Sequence, residues 1–306
     1  MRVTLLTCLV WMVPANGAEL PTFAAPGATL EKLWSEGSFT EGPTPGPDGA
    51  VYFSDIGNRI MKFDPKTGTT TVFRDPSGRS NGLKFDKMGR LIACEGANTG
   101  GNRRISITEK DGTVRALTDN YMGKKYNSPN DLTIDSKGRI YFTDPRYVGE
   151  EAREIDTESV YRIDPDGSVT QVISDVTKPN GIVISPDGKT LYLADNNGAP
   201  NGNRFLIAYE LKPDGSVGGR KVLYDFKNDR GIDGMTVTSE GLIVATAGTG
   251  KTAGVSIFTP AGKRVGFIPT PEDPSNVCFA PAGSKTLYIT AGKSLYRINL
   301  TIAGTQ

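Results

Sequence analysis

Apolar and polar positions alternate in short runs along most of the chain, and one arrangement of them recurs six times. Each unit has a small polar or acidic residue, an apolar run, a glycine and a second apolar run, as in the stretch NDLTIDSKGRIYFTD that starts at Asn130. The alternation, for example from Val51 to Ser54, predicts strands, and the glycine between the runs predicts a hairpin turn. We call the first residues of the units the lead residues: Glu41, Asn81, Asn130, Asn180, Asp233 and Ser275, or Asn276 if the last unit is shifted by one residue.

The repeat predicts the architecture. Each unit also contains two further strand-like segments around a second turn, and four strands every 40 to 50 residues or so are typical of a propeller blade. The expected fold is therefore all-β, a six-bladed β-propeller with four-stranded antiparallel blades. Because such a ring must close, the segment 28–35 is expected to supply the outer strand of the last blade. A β-sandwich is the alternative, but it would not place a glycine eight residues after the lead residue in all six units.

The first residues have the layout of a secretory signal peptide. Arg2 precedes an apolar run at 4–13, and small residues stand at Ala15 and Gly17. We expect residues 1–17 to be cleaved, which leaves 18–306 as a single propeller domain that is exported to the periplasm or beyond. The apolar run is too short to span a bilayer core of about 30 Å, so no membrane span is expected in the mature chain. An apolar N-terminal strand is the alternative.

Composition excludes several classes of function. The 35 basic and 34 acidic residues nearly cancel, which argues against a nucleic-acid partner. Histidine is absent, so Ser-His-Asp catalysis and imidazole-based zinc sites are excluded. Of the three cysteines, Cys8 falls in the signal peptide, and Cys94 and Cys278 are expected to be buried and unpaired. We expect a monomer or a weak oligomer.

The lead residues should converge, because each begins the innermost strand of a blade beside the central channel. Two of them, Glu41 and Asp233, are carboxylates, and at about 4 Å they would repel by roughly 4 kcal/mol at an effective dielectric constant near 20. A shared proton, a basic side chain or a cation must relieve this repulsion. Oxygen-only ligands with two negative charges favour a hard divalent ion, calcium first and magnesium or manganese next. Alternatively, Asn-Gly and Asp-Gly are only turn dipeptides, although each unit already has its turn glycine.

A second set of acidic residues ends the second strand of four units. These residues either hydrogen-bond to loop amides or support the metal ligands from behind. Arg103 or Arg104, which follow a glycine-rich loop, could reach a substrate oxygen or could be ordinary strand residues. The four acidic residues are Asp55, Glu95, Asp144 and Asp195.

Four motifs together carry a family resemblance: EGP at Glu41, NSPND ending at Asp131, KPNGI around Asn180 and GIDGM around Asp233. In this combination the chain resembles the gluconolactonase, regucalcin and luciferin-regenerating-enzyme family, bacterial exported gluconolactonases in particular. The resemblance implies hydrolysis of aldonolactones, with Asp233 at the position of the family's proposed general base. It also implies one divalent cation, calcium or else magnesium, manganese or zinc, with its ligands at Glu41, Asn130, Asn180 and Asp233.

The expected function is a metal-dependent lactonase that opens the ester of a small sugar lactone. In this hypothesis the ion polarises the carbonyl group, and Asp233 acts as general base or as nucleophile. A phosphotriester hydrolase using the same metal site and a non-catalytic, ligand-binding propeller are the alternatives. Candidate substrate-binding residues are Asn81, Arg103, Tyr126, Asn127 and Asp131, together with Tyr147.

Overall fold

The computed structural model describes residues 22–305, so the predicted signal peptide at 1–17 lies outside the described residues. Within that range the chain forms twenty-six strands and one 3-10 helix, Gly250–Thr252. No helix in this part of the chain is long and apolar enough to cross a membrane.

The strands form six four-stranded antiparallel sheets, which confirms the predicted blades. Blade 1 comprises β2 (Thr40–Pro45), β3 (Val51–Asp55), β4 (Arg59–Asp64) and β5 (Thr69–Arg74). Blade 2 comprises β6 (Ser80–Phe85), β7 (Leu91–Glu95), β8 (Arg104–Thr108) and β9 (Val114–Thr118). A two-stranded hairpin follows, β10 (Asn120–Tyr121) and β11 (Lys124–Lys125). Blade 3 comprises β12 (Leu132–Ile134), β13 (Ile140–Asp144), β14 (Ser159–Ile163) and β15 (Val169–Ile173).

The second half of the ring has the same construction. Blade 4 comprises β16 (Pro179–Ile184), β17 (Thr190–Asn196), β18 (Arg204–Leu211) and β19 (Val217–Asp225). Blade 5 comprises β20 (Met235–Val237), β21 (Ile243–Ala247), β22 (Gly254–Phe258) and β23 (Arg264–Pro269). Blade 6 comprises β24 (Pro274–Phe279), β25 (Thr286–Ala291), β26 (Ser294–Asn299) and, as its outer strand, β1 (Glu31–Trp34).

The innermost strands contact one another in a closed ring, in the order β2, β6, β12, β16, β20, β24 and back to β2. The ring is closed by β1, which pairs antiparallel with β26 as predicted. Glu272 stabilises this closure. Its carboxylate accepts hydrogen bonds from Ser294 Oγ at 2.6 Å and from Tyr296, and it forms an ion pair with Lys32 at 3.2 Å.

Six apolar clusters fill the six spaces between neighbouring blades. Each blade is therefore covered on both faces, and for this reason the second strands are uninterrupted buried runs such as Val51–Asp55. Cys94 and Cys278 belong to two of these clusters and are free and buried, as predicted.

The six glycines that follow the lead residues by eight positions adopt φ between 71° and 85°. This left-handed conformation favours glycine, since it strains any residue that carries a Cβ. The predicted hairpin turns are thereby confirmed at Gly49, Gly89, Gly138, Gly188, Gly241 and Gly283.

Candidate active site

Five of the six lead residues line one cavity of about 420 Å³ at one end of the channel. These five are Glu41, Asn81, Asn130, Asn180 and Asp233. The four predicted metal ligands are all among them. Ser275 is not, because its hydroxyl donates hydrogen bonds within the closure of the ring, to the carbonyl oxygens of Thr40 at 2.6 Å and Thr290 at 3.0 Å.

The glycines next to the lead residues allow this convergence. A Cβ on Gly42 would lie 2.1 Å from the carbonyl oxygen of Asn81, and one on Gly181 would lie 2.5 Å from that of Asp233. The Gly181 N–H donates to the Asp233 carbonyl at 2.7 Å, so the backbones of neighbouring blades touch at this level. The Asn-Gly and Asp-Gly pairs therefore serve close approach of strands rather than turns.

Asp233 is held by two donors. Asn180 Nδ2 donates to its Oδ1 at 2.8 Å, and Arg230 Nη2 is paired with its Oδ2. The guanidinium of Arg230 is itself anchored, since Nη1 donates to the carbonyl oxygens of Pro274 at 2.8 Å and Gly248 at 3.2 Å. Burial raises the pKa of Asp233, while Arg230 and Asn180 act in the opposite direction.

Glu41 forms no ion pair of this kind with any of the described residues. It is 3% exposed, and among the described residues the hydrogen bond that it accepts comes from the Gly42 N–H at 3.0 Å. Burial, followed by the negative charge of Asp233, raises the pKa of Glu41 well above its ordinary value. The cavity thus contains a buried carboxyl whose charge lacks a partner, and a cation is the group that such a site would accept.

The donor set suits a hard cation. Two carboxylates and two amide oxygens are ligands that calcium prefers. Within residues 22–305 no group of three or more His, Cys, Asp or Glu side chains could hold a metal ion. The predicted set contains only two such residues, Glu41 and Asp233, and the amides of Asn130 and Asn180 would complete it.

Tyr147 orients Asn180. Asn180 Nδ2 donates to the hydroxyl of Tyr147 at 3.1 Å, and that hydroxyl donates to the carbonyl oxygen of Asn196 at 3.0 Å. The ring of Tyr147 is 43% exposed at the mouth of the cavity. It therefore both fixes a predicted ligand and presents a surface to any bound molecule.

Three predicted substrate-binding residues do not line the cavity. Tyr126 is fully buried, with its ring against Phe142 and its hydroxyl 2.9 Å from Thr118 Oγ1. The side-chain amide of Asn127 donates to the carbonyl of Thr157, and Arg103 Nε donates to the carbonyl of Tyr126 at 2.6 Å. Asn127 and Arg103 turn into the protein because they satisfy loop carbonyls there, whereas the Tyr126 ring belongs to the apolar cluster between blades 2 and 3.

Asp131 also lies outside the cavity. Its Oδ1 accepts the Leu132 N–H at 2.8 Å, and its Oδ2 is 3.5 Å from Asn276 Nδ2. Both residues line a small void farther along the channel, beneath the lead residues. Burial raises the pKa of Asp131 to about 6.

The second acidic set mainly supports loops. Asp144 accepts the N–H groups of Asn127 and Ser128 at 2.8 and 2.7 Å, and Asp55 and Asp195 accept loop amides in the same manner. Glu95 forms ion pairs with Arg74 and Arg104 at 2.8 and 2.7 Å instead. These hydrogen bonds agree with the first of the two interpretations, in which the acidic residues hold the loops.

Sequence reasoning missed two features of the cavity. Arg230 was missed because it stands three residues before Asp233, outside the positions that recur in the six units. The apolar wall formed by Phe39, Ile56 and Val148 was missed because side-chain direction in loops follows no period.

These features define a six-bladed propeller with an acidic, amide-lined small-molecule cavity at one end of its channel. Residues 39–293 match the family model described as the SMP-30/Gluconolactonase/LRE-like region. The chain therefore belongs to this family, which is a family of lactone hydrolases.

Named relatives agree with this assignment. A gluconolactonase of Zymomonas mobilis is 31% identical over 90% of this chain and 82% of its own. The solved structure of a gluconolactonase from Xanthomonas campestris is 31% identical, covers 94% of this chain and 97% of its own, and superposes with a TM-score of 0.82. A regucalcin from Agrobacterium tumefaciens, described as a calcium-binding protein, shares the fold with a TM-score of 0.74 at 20% identity, covering 94% of this chain and 97% of its own.

Proposed function

We propose that the protein hydrolyses sugar lactones of the gluconolactone type, and that it does so with a divalent cation, calcium in the first place. The observation that carries this proposal is the meeting of Glu41, Asn130, Asn180 and Asp233 in one cavity. Membership of a lactone-hydrolase family and the names of the relatives support the substrate class.

The cation would be held by these four residues. When bound, it would polarise the lactone carbonyl and stabilise the negative charge that develops on the carbonyl oxygen. It would also relieve the unpaired charge of Glu41, which among the described residues has only the Gly42 N–H as a hydrogen-bond donor.

Asp233 acts on the attacking group. Its carboxylate takes a proton from the attacking water, whose oxygen then bonds to the carbonyl carbon. The ring C–O bond breaks, and the proton passes to the departing alkoxide, so that the product is a hydroxy acid. In the alternative route the carboxylate attacks the carbonyl carbon itself, the ring C–O bond breaks and the departing alkoxide takes a proton from water, and a second water then hydrolyses the resulting mixed anhydride to the hydroxy acid and free Asp233.

Arg230 influences the protonation state of the Asp233 carboxylate. Its ion pair with Asp233 opposes the effect of burial and favours the ionised form that both routes require. The same ion pair weakens the carboxylate as a base. An activated ester such as a lactone needs only modest base strength, so the arrangement suits this substrate class.

The test is the rate of proton release from glucono-1,5-lactone above the spontaneous rate. We expect the Asp233→Asn variant and metal-stripped protein each to lose at least about 100-fold in kcat, because removal of a group that stabilises the transition state costs about this much. Asp166→Asn, in an exposed turn between β14 and β15, is the matched control and should keep full activity.

The outcomes separate the candidate functions. Full activity without metal or with Asp233→Asn contradicts the mechanism. Turnover of a phosphotriester without turnover of a lactone identifies phosphotriesters, instead of lactones, as the substrate class. Metal binding without turnover of either substrate favours a non-catalytic propeller.

A further inference from the structure

The mouth of the cavity differs chemically from its floor. The floor consists of the polar lead residues, whereas Phe39, Ile56, Ala97 and Val148 form an apolar arc that lines the same cavity. We call these four residues the apolar arc. A polyhydroxylated sugar ring would offer the apolar arc no complementary apolar surface.

The apolar arc is unusual for the surface of this protein. Eight large apolar side chains are exposed within residues 22–305, and three of them line this one mouth: Phe39 at 40%, Tyr147 at 43% and Val148 at 55%. Apolar surface gathered around a cavity marks a binding site, whereas single exposed apolar residues elsewhere need no explanation.

The three loops that carry the arc residues touch one another. The Ile56 N–H donates to the Phe39 carbonyl at 2.9 Å, which extends the pairing of β2 with β3 and sets these two residues side by side. The next loop touches the first, since a Cβ on Gly100 would lie 3.1 Å from Asn58 Nδ2. The third loop touches the second, since a Cβ on Gly149, the neighbour of Val148, would lie 2.9 Å from the Ala97 Cβ.

The size of the cavity agrees with a substituted substrate. A volume of about 420 Å³ falls in the range of about 300 to 1,000 Å³ found for pockets that enclose drug-sized ligands. Such ligands are larger than a single lactone ring. A ring placed at the polar floor would therefore leave room toward the arc.

We propose that, among lactones with the same ring, the cavity favours those that carry an apolar alkyl substituent, with the ring ester at the lead residues and the substituent against the apolar arc. This inference rests on the proposed lactone hydrolysis and adds the nature of the substituent.

The test compares δ-valerolactone with δ-decalactone, which has the same ring and a pentyl side chain. Each kcat/KM is divided by the rate constant for hydroxide-catalysed hydrolysis of the same lactone. Full burial of a methylene is worth about fourfold in binding, so five carbons that stay partly exposed should favour δ-decalactone by at least about tenfold. We expect this preference in KM rather than in kcat, because the outer carbons of the pentyl chain take no part in the reaction and would contact the arc equally in the bound substrate and in the transition state.

Two variants of the apolar arc test whether the preference for δ-decalactone arises there. Phe39→Ser and Val148→Ser should each lower the preference ratio by about three- to fivefold, and both replace exposed side chains that the folded core does not need. Val72→Ser, which changes an equally exposed valine on β5 far from the cavity, is the matched control and should leave the ratio as in the wild type.

The outcomes are distinct from those of the lactonase test. A ratio near one in a protein that turns over glucono-1,5-lactone overturns this inference alone. A preference that neither variant of the apolar arc reduces also overturns it, since the arc would then not be its origin. No turnover of any lactone refutes the proposed function, and this inference with it.

Discussion

The substitution Glu41→Gln tests whether the two carboxylates of the cavity are there to hold a cation. Glutamine keeps the shape of the side chain and removes its charge. The pKa of Glu41 is raised well above its ordinary value, first by burial and then by Asp233. An acid with a raised folded pKa binds its proton more tightly in the folded chain, so the free energy of unfolding falls as the pH rises through that pKa. Near neutral pH and without metal, the variant should therefore be more stable than the wild type.

The magnitude follows from the charges. Two ionised carboxylates about 4 Å apart repel by roughly 4 kcal/mol at an effective dielectric constant near 20. The ion pair between Arg230 and Asp233 offsets much of this repulsion, so we expect a gain of about 1 to 2 kcal/mol. In a domain of this size that gain raises Tm by about 2 to 4 °C. Calcium at about 100 times its Kd should stabilise the wild type by about 2.7 kcal/mol, and the variant should lose most of this response.

The assay is scanning calorimetry of both proteins in a chelator and in saturating calcium. Glu95→Gln is the control, because Glu95 is an equally buried glutamate that is paired with Arg74 and Arg104 outside the cavity. It should lower Tm in both conditions and leave the calcium response intact. If Glu41→Gln lowers Tm in the chelator, or responds to calcium as the wild type does, the reasoning is refuted.

Three further predictions concern the ion pair, the ring closure and the N-terminus. Arg230→Gln should lower kcat/KM for lactones by about 10- to 100-fold. It should also move the acidic limb of the pH–rate profile to higher pH, because the pKa of Asp233 rises when the arginine is lost. An acidic limb at the same pH as in the wild type contradicts this role. Burial raises the pKa of Glu272, but donors on β26 and β1 outweigh it and hold the pKa at about 2. This stabilisation is present above the pKa that Glu272 has in the unfolded chain and is lost as the pH falls toward 2. Glu272→Gln should therefore lower Tm near neutral pH by a few degrees and make Tm less dependent on pH in acid. An equal decrease in Tm at every pH contradicts this prediction. We also propose that the chain is exported and processed, so N-terminal sequencing of the mature protein should begin at Ala18; a mature chain starting at Met1 contradicts this.

The blades could be predicted from the sequence because every one obeys the same constraint. A propeller repeats one unit, and each unit needs a strand, a left-handed glycine and a second strand, so the signal accumulates over six copies. The positions of the lead residues follow from the same repeat, since each stands near the start of an innermost strand, beside the channel. Five of the six line the cavity, Glu41 and Asp233 among them.

The loops could not be predicted in the same way. Tyr126 and Asn127 stand on the correct face of the propeller, but whether a loop side chain points into the cavity depends on which buried carbonyl lacks a donor. Asn127 meets the Thr157 carbonyl, and Arg103 meets that of Tyr126. Arg230 enters the site by the same rule, because two carbonyls and the Asp233 carboxylate fix its guanidinium. Such partners are known only once the fold has brought them together.

The sixth blade explains why the ring of lead residues is incomplete. This blade is built from both ends of the described chain, and its lead residue joins it to the first blade, since Ser275 donates to the Thr40 carbonyl and Thr40 Oγ1 donates to the Ser294 carbonyl at 2.7 Å. The next residue, Asn276, reaches into the channel instead, where it meets Asp131 and occupies the space that a Cβ on Gly234 would need. The void of about 10 Å³ that Asp131 and Asn276 line just below the lead residues is too small for a lactone, so we expect a ligand to reach the lead residues from the face that carries the apolar arc. A substrate that enters from this face meets Phe39 and Val148 at the mouth before its ester reaches Glu41 and Asp233, so we expect the mouth to contribute to specificity.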